Sequence, residues 1–130
     1  MNVTEVPLLL TAGDPAGIGP EIVLQACLSQ PEWARQAVVV GHLPSLQRAL
    51  GVLKAQSDLD FVTVDLKQAV ASAAQGQLRV HPIAPEIQLA DAPLGQISWV
   101  GGHIAAESVS LAAQLCLAQR ASGMVTAPIH

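Results

Sequence analysis

The stretch Thr11-Ala12-Gly13-Asp14-Pro15-Ala16-Gly17-Ile18-Gly19-Pro20-Glu21 decides how this chain is read. It joins an apolar run, Val6-Pro7-Leu8-Leu9-Leu10, to a helix expected over Glu21 to Gln30. A strand that passes through a glycine-rich loop into a helix is where α/β proteins collect ligands. Gly13, Gly17 and Gly19 supply positive φ or a close backbone approach, and Pro20 suits the first position of a helix. Glu21 then lies in the first turn, where a carboxylate gains about 0.3–1 kcal/mol from the helix dipole. The loop matches neither the dinucleotide fingerprint G-x-G-x-x-G nor the Lys-Ser/Thr ending of a P-loop. The residues alone leave two readings evenly open: a ligand loop, or glycines that only let strand and helix pack, with Asp14 as a loop cap.

Beyond this unit, strand and helix patterns alternate. Ala37-Val38-Val39-Val40, ended by Gly41, has the β-branched continuity of a buried parallel strand. Leu43, Leu46, Leu50 and Leu53 recur at helical spacing, which predicts a helix over Leu43 to Leu53. Phe61-Val62-Thr63-Val64 reads as a strand, Leu66 to Ala74 as a weaker helix, and Leu78-Arg79-Val80-His81-Pro82 as a strand ended by proline. Pro82 to Gly95, with Pro82, Pro85 and Pro93, is an irregular excursion with room for an extra strand around Glu86 to Leu89. A long helix follows, about Gly102 to Ala121. Ile104, Ser108, Leu111, Leu115 and Ala118 form a stripe on it, widened by Ala105, Val109, Ala112 and Cys116, so extensive burial in simple core packing is expected. Gly123 is expected to cap that helix and to lead into a last strand, Met124 to Thr126. In such a sheet the loops Gly13 to Gly19 and Ala127 to His130 both fall at the carboxyl ends of strands, where ligands bind.

Composition narrows the function classes. With 130 residues the chain is long enough to bury one core, and it is 51% hydrophobic but only 12% charged. Typical soluble domains carry about 25% charged residues, so much of this surface is expected to lie against a second lobe or a dimer partner. The net charge is −4, and Arg35, Arg48, Lys54, Lys67, Arg79 and Arg120 are scattered singly, which offers no cationic stripe for nucleic acid. No uncharged apolar run approaches the ~18–20 residues of a membrane span, and no signal peptide is evident. Cys27 and Cys116 fall on apolar helix faces and read as buried thiols rather than a disulfide, in keeping with a reducing cytoplasm. His42, His81, His103 and His130 lack the i, i+4 spacing of paired metal ligands and read as loop or element-end residues, with His130 the one kept open because it follows Pro128 at a strand's end.

The Thr11–Glu21 string resembles the N-terminal signature of the 4-hydroxythreonine-4-phosphate dehydrogenase family of pyridoxal phosphate biosynthesis, relatives of the isocitrate and isopropylmalate dehydrogenases. A second likeness is Gly123-Met124-Val125-Thr126-Ala127-Pro128-Ile129-His130, similar to the family's strand ending in a Thr-x-Pro loop, which normally continues with a lysine. Pro93-Leu94-Gly95-Gln96 followed by Gly101-Gly102-His103 and an Ala-rich helix is similar in order and spacing. The resemblance runs through essentially all 130 residues, the middle mainly by pattern.

That resemblance implies an α/β three-layer sandwich of the isocitrate/isopropylmalate dehydrogenase-like type, incomplete and with a mostly parallel sheet. Residues 1–130 would be its N-terminal part. The family holds a divalent metal (Zn, Mg or Co) with three histidines and its substrate with a Gly-His-Thr segment, all at positions C-terminal to this sequence. The implied enzyme passes hydride from the secondary alcohol of 4-phosphooxy-L-threonine to NAD or NADP, and the 3-keto acid formed loses carbon dioxide. It is a cytoplasmic homodimer without nucleic-acid or membrane partners. Asp14, Gly17, Ile18 and Gly19 are then the candidate cofactor wall, Thr126, Pro128 and His130 the candidate substrate side, and no residue is a candidate acid, base or metal ligand. The segment alone is expected to be inactive. Two alternatives stand beside this reading: a short non-catalytic protein binding a nucleotide or partner, and part of a sister dehydrogenase acting on phosphorylated threonate or erythronate.

Overall fold

The computed structural model describes residues 6–128 and forms one five-stranded sheet with helices on both faces. Strands β1 (Leu8–Thr11), β2 (Ala37–Gly41), β3 (Asp60–Thr63), β4 (Gln77–Pro82) and β5 (Gly123–Thr126) lie in the order β3-β4-β2-β1-β5. Every pairing is parallel, with Leu8 opposite Ala37 on one side of β1 and opposite Gly123 on the other. The all-apolar β2 is central and wholly buried, as a strand covered on both faces must be.

Helices α1 (Gly19–Ser29), α2 (Pro31–Gln36) and α3 (Leu43–Val52) belong to one face, where Val23, Leu24, Ala34, Leu46 and Leu50 pack with Val39, Leu78 and Val80. Helix α4 (Trp99–Leu117) covers the other, where Ile104, Ala112 and Leu115 meet Leu9, Val38 and Val40. Alternate residues of β1 and β2 thus feed opposite cores, which gives the expected three layers. Cys27 is buried in the first core and Cys116 packs against the second, so the sheet separates the two free thiols.

Several expectations need correction. Residues 66–74 form one turn and then irregular chain, not a helix, because other groups take their backbone: Leu66 N–H donates to His81 Nδ1 at 3.1 Å, Lys67 N–H to Asp65 at 2.9 Å, and the buried Arg79 Nη1 donates to Ala71 O at 2.9 Å. The short α2, begun by Pro31, stands where no element was expected. No strand forms at 86–89; a 3₁₀ turn at Leu89–Asp91 takes its place, with Asp91 accepting from the Gln88 N–H. Gly123 does not cap α4. That helix ends six residues earlier than Gly123, where Gln119 at φ +60° closes a Schellman motif through Gln119 N–H to Cys116 O and Arg120 N–H to Leu115 O. α4 also begins before Gly102, because Ser98 Oγ caps it by accepting from Gly101 N–H at 3.0 Å. Only one side of α4 is buried; Leu117, at its C-terminus, is 86% exposed. His103 lies inside α4 and is not an element-end residue, whereas His81, next to last in β4, is.

Candidate functional site

The strand order reverses at β1: the chain leaves β1 toward β2 on one side and returns on its other side as β5. Ligands of parallel α/β sheets bind at such a reversal, beyond the carboxyl ends of the flanking strands. Here those ends carry the glycine-rich loop after Thr11 and the Ala127-Pro128 segment after Thr126. The two are pressed together. Gly13 has φ +74°, and a Cβ there would overlap the Pro128 carbonyl; a Cβ at Gly19 would overlap the carbonyl of Ala12. Glycine is therefore required at both positions, at 13 by conformation as well as contact.

A cleft of about 490 Å³ opens on this loop, lined by Asp14, Ala16, Gly17, Ile18, Glu21, Leu94, Gly95, Gln96, Ile97 and Pro128. Asp14 is buried and its Oδ1 accepts from the Ala16 N–H at 2.9 Å, a short turn that shapes the loop. Its carboxylate also lies against the first turn of α4 at Gly101. Ile18 (60% exposed) and Ile97 (78% exposed) present apolar faces at the mouth. No lysine or arginine lines the cleft, so its walls offer carboxylates and apolar surface rather than cationic side chains.

The wall opposite the glycine loop comes from the irregular excursion, which is tied down along its length. Ile83 N–H donates to Gly41 O at 2.8 Å, and Gly95 N–H donates to Ala16 O at 2.8 Å. The buried His42 spans two groups, with Nε2 2.7 Å from the Ile87 carbonyl and Nδ1 2.6 Å from Ser45 Oγ. A carbonyl only accepts, so Nε2 is the donor. Arg48 Nη2 donates both to Pro15 O (3.0 Å) and to Ala92 O (2.9 Å).

The residues expected from sequence thus divide. Asp14, Gly17, Ile18 and Pro128 line one cleft. Gly19 begins α1 and serves packing beneath Ala12, and Thr126 is exposed at the end of β5, not in the lining. His130 lies outside the described residues. Sequence reading passed over Glu21, Leu94, Gly95, Gln96 and Ile97 as cleft residues, and Arg48 and His42 as ties. The likeness of Pro93 to Gln96 was the only available signal for the far wall. Among the described residues no group of three or more His, Cys, Asp or Glu side chains is arranged to hold a metal ion, and no helix is long and apolar enough to cross a membrane.

Comparison with known proteins points to one family. The 4-hydroxythreonine-4-phosphate dehydrogenase of Trichlorobacter lovleyi is 36% identical over 133 residues, covering 99% of this chain and 38% of the relative. That of Vibrio parahaemolyticus is 32% identical over 127 residues, covering 95% and 35%. A solved Salmonella typhimurium protein provisionally given the same name superposes with a TM-score of 0.82 at 29% identity, over 95% of this chain and 38% of its own. The Klebsiella pneumoniae enzyme of that name superposes at 0.79 with 25% identity, over 97% and 38%. The chain therefore spans little more than a third of the relatives it matches. Residues 32–130 match the family model described as pyridoxal phosphate biosynthetic protein PdxA, and with three-quarters of its length inside that match the chain belongs to this family.

Proposed function

We propose that this chain forms the nucleotide-facing portion of an NAD- or NADP-dependent, metal-dependent dehydrogenase that oxidises 4-phosphooxy-L-threonine to a 3-keto acid prone to decarboxylation. The observation that carries the reading is the cleft at the strand-order reversal, with a glycine loop for one wall and a tied excursion for the other. The chemistry of the cleft supports a role toward one part of the cofactor. Carboxylates accept hydrogen bonds from ribose hydroxyls, and the apolar faces of Ile18, Leu94 and Ile97 suit a flat heteroaromatic ring. With no cationic lining side chain, the cleft suits ring and ribose better than diphosphate.

When bound, NAD(P) would supply the hydride acceptor; Asp14, Gly17 and Ile18 would bind and orient it, and no proton transfer is assigned to this segment. The described residues include no group of three or more His, Cys, Asp or Glu arranged to hold a metal ion, so no metal ligand is assigned to them; a divalent metal would polarise the alcohol and keto oxygens. Thr126, at the end of β5, and Pro128 just after it are proposed to face the substrate side. The exposed apolar residues Ile18, Ile22, Leu94, Ile97 and Val125 support a working form in which more protein, including a second copy, covers this end of the sheet.

The test is a titration of NAD and of NADP into the 130-residue chain, followed by amide chemical shifts. Saturable shifts at Gly17, Ile18 and Gln96 are expected, with no NADH formed when 4-phosphooxy-L-threonine and a divalent metal are added. Shifts confined to other surfaces would remove the reading, and turnover by this chain alone would refute the claim that the reaction needs further protein.

A further inference from the structure

We propose that Arg48 is a positioning residue that sets the separation of the cleft's two walls without entering the cleft. The inference rests on the reading of that cleft as a nucleotide site. One nitrogen, Nη2, donates to Pro15 O in the glycine loop and to Ala92 O in the excursion, so a single guanidinium corner fixes the two walls to one another. Arg48 stands on α3, which packs against α1, and is absent from the cleft lining. Its Nε is buried with no hydrogen-bond partner, so this side chain is held for what Nη2 does and not for full satisfaction of its own donors. A cation that bridges two carbonyls makes charge-assisted bonds, stronger than the neutral Gly95 N–H to Ala16 O bond that also joins the walls. His42 holds the excursion further back, at Ile87, and does not touch the loop.

Arg48→Met keeps the apolar stem and removes the bridge; Arg48→Lys returns a cation whose ammonium has donors for both carbonyls. Hydrogen exchange of the Gly95 amide reads the wall contact in the free chain, and NAD titration reads the cleft. With Arg48→Met, Gly95 exchange is expected to accelerate about tenfold beyond the change seen at core amides of β1 and β2, and NAD affinity to fall by a similar factor. Arg48→Lys is expected to recover part of both. Gly95 exchange that follows only the global stability, or a Lys variant no better than Met, overturns the proposal, because Arg48 would then be a packing residue. Faster Gly95 exchange with undiminished NAD affinity also overturns it, since the wall separation would not matter to the ligand. If the wild-type chain takes up no NAD, the nucleotide reading of the cleft fails separately, and the exchange data still decide whether Arg48 holds the walls.

Discussion

The carboxylate of Asp14 lies directly against the α-carbon of Gly101: a methyl group built at position 101 would overlap Oδ1 and come within 3.0 Å of Oδ2. The glycine loop after β1 and the first turn of α4 are thereby seated on one another, across 87 residues of sequence. Glycine in a helix costs about 1 kcal/mol relative to alanine, so on propensity alone Gly101→Ala should stabilise the protein. The contact reverses the sign. Gly101→Ala is expected to destabilise by about 1–3 kcal/mol in urea unfolding, as overpacking does. The neighbouring Gly102, with open space where its Cβ would stand, is the control, and Gly102→Ala should be stabilising. A stabilised Gly101→Ala variant would show that Asp14 moves aside freely.

Arg79 is a buried cation held by carbonyls from three segments. Nη1 donates to Ala71 O, and Nη2 donates to Arg35 O at 2.8 Å and to Ala37 O at 3.2 Å. It closes the C-terminal end of α2 and pins the irregular chain that stands in place of a helix at 66–74. Arg79→Met leaves those three carbonyls, of which only that of Ala37 belongs to a buried residue, without their donor, at about 1–3 kcal/mol for the buried one and less for the two that water can reach. Loss of at least 2 kcal/mol is expected, with proteolytic nicking appearing first between Asp65 and Gly76. Wild-type resistance of that segment in the variant would mean that Arg79 does not hold it.

The sheet was legible because its signals are local and strong. Val38, Val39 and Val40 cannot be placed anywhere but in a buried strand, and the glycines at 13 and 19 announce a tight loop. Helix 66–74 misled because its apolar spacing is real, while the groups that defeat it, Arg79 and His81, come from a strand later in the chain. The end of α4 misled for a related reason: Gln119 adopts the left-handed conformation that sequence reasoning reserves for glycine. In the candidate site the near wall could be read from its glycines. The far wall could not, because Leu94, Gln96 and Ile97 have no periodicity, and the ties from His42 and Arg48 that place them are long-range.

His81 makes stability depend on pH. Its Nδ1 accepts from the Leu66 N–H, which favours the neutral ring, and burial lowers its pKa below 6.5, outweighing the opposing pulls of Asp65 and of a hydrogen bond to the Val64 backbone; Lys67 lowers it further. A lowered native pKa means that the unfolded chain binds the proton first as pH falls. The contribution is fully present above about pH 6.5 and is lost progressively below it, down to the native pKa. Unfolding free energy of the wild type should therefore drop between pH 7.5 and 5.5 more steeply than that of His81→Gln, which has no titrating ring. Parallel pH profiles would show that other groups carry the dependence.

The two cysteines should differ in reactivity by their surroundings alone. Cys27, on the buried face of α1, has its thiol pushed up to about 11 by burial, whereas Cys116 is only half-buried on α4. The thiolate is the nucleophile, so at pH 8 Cys27 is both rarely ionised and sealed from reagent. Iodoacetamide is expected to modify Cys116 first, leaving Cys27 intact until the chain unfolds, at which point both react at similar rates. Since Cys27 shares the core-facing side of α1 with Val23 and Leu24, its protection also reports the seating of α1. Early modification of Cys27 at full native stability would mean that α1 opens locally, and with it the loop that walls the cleft.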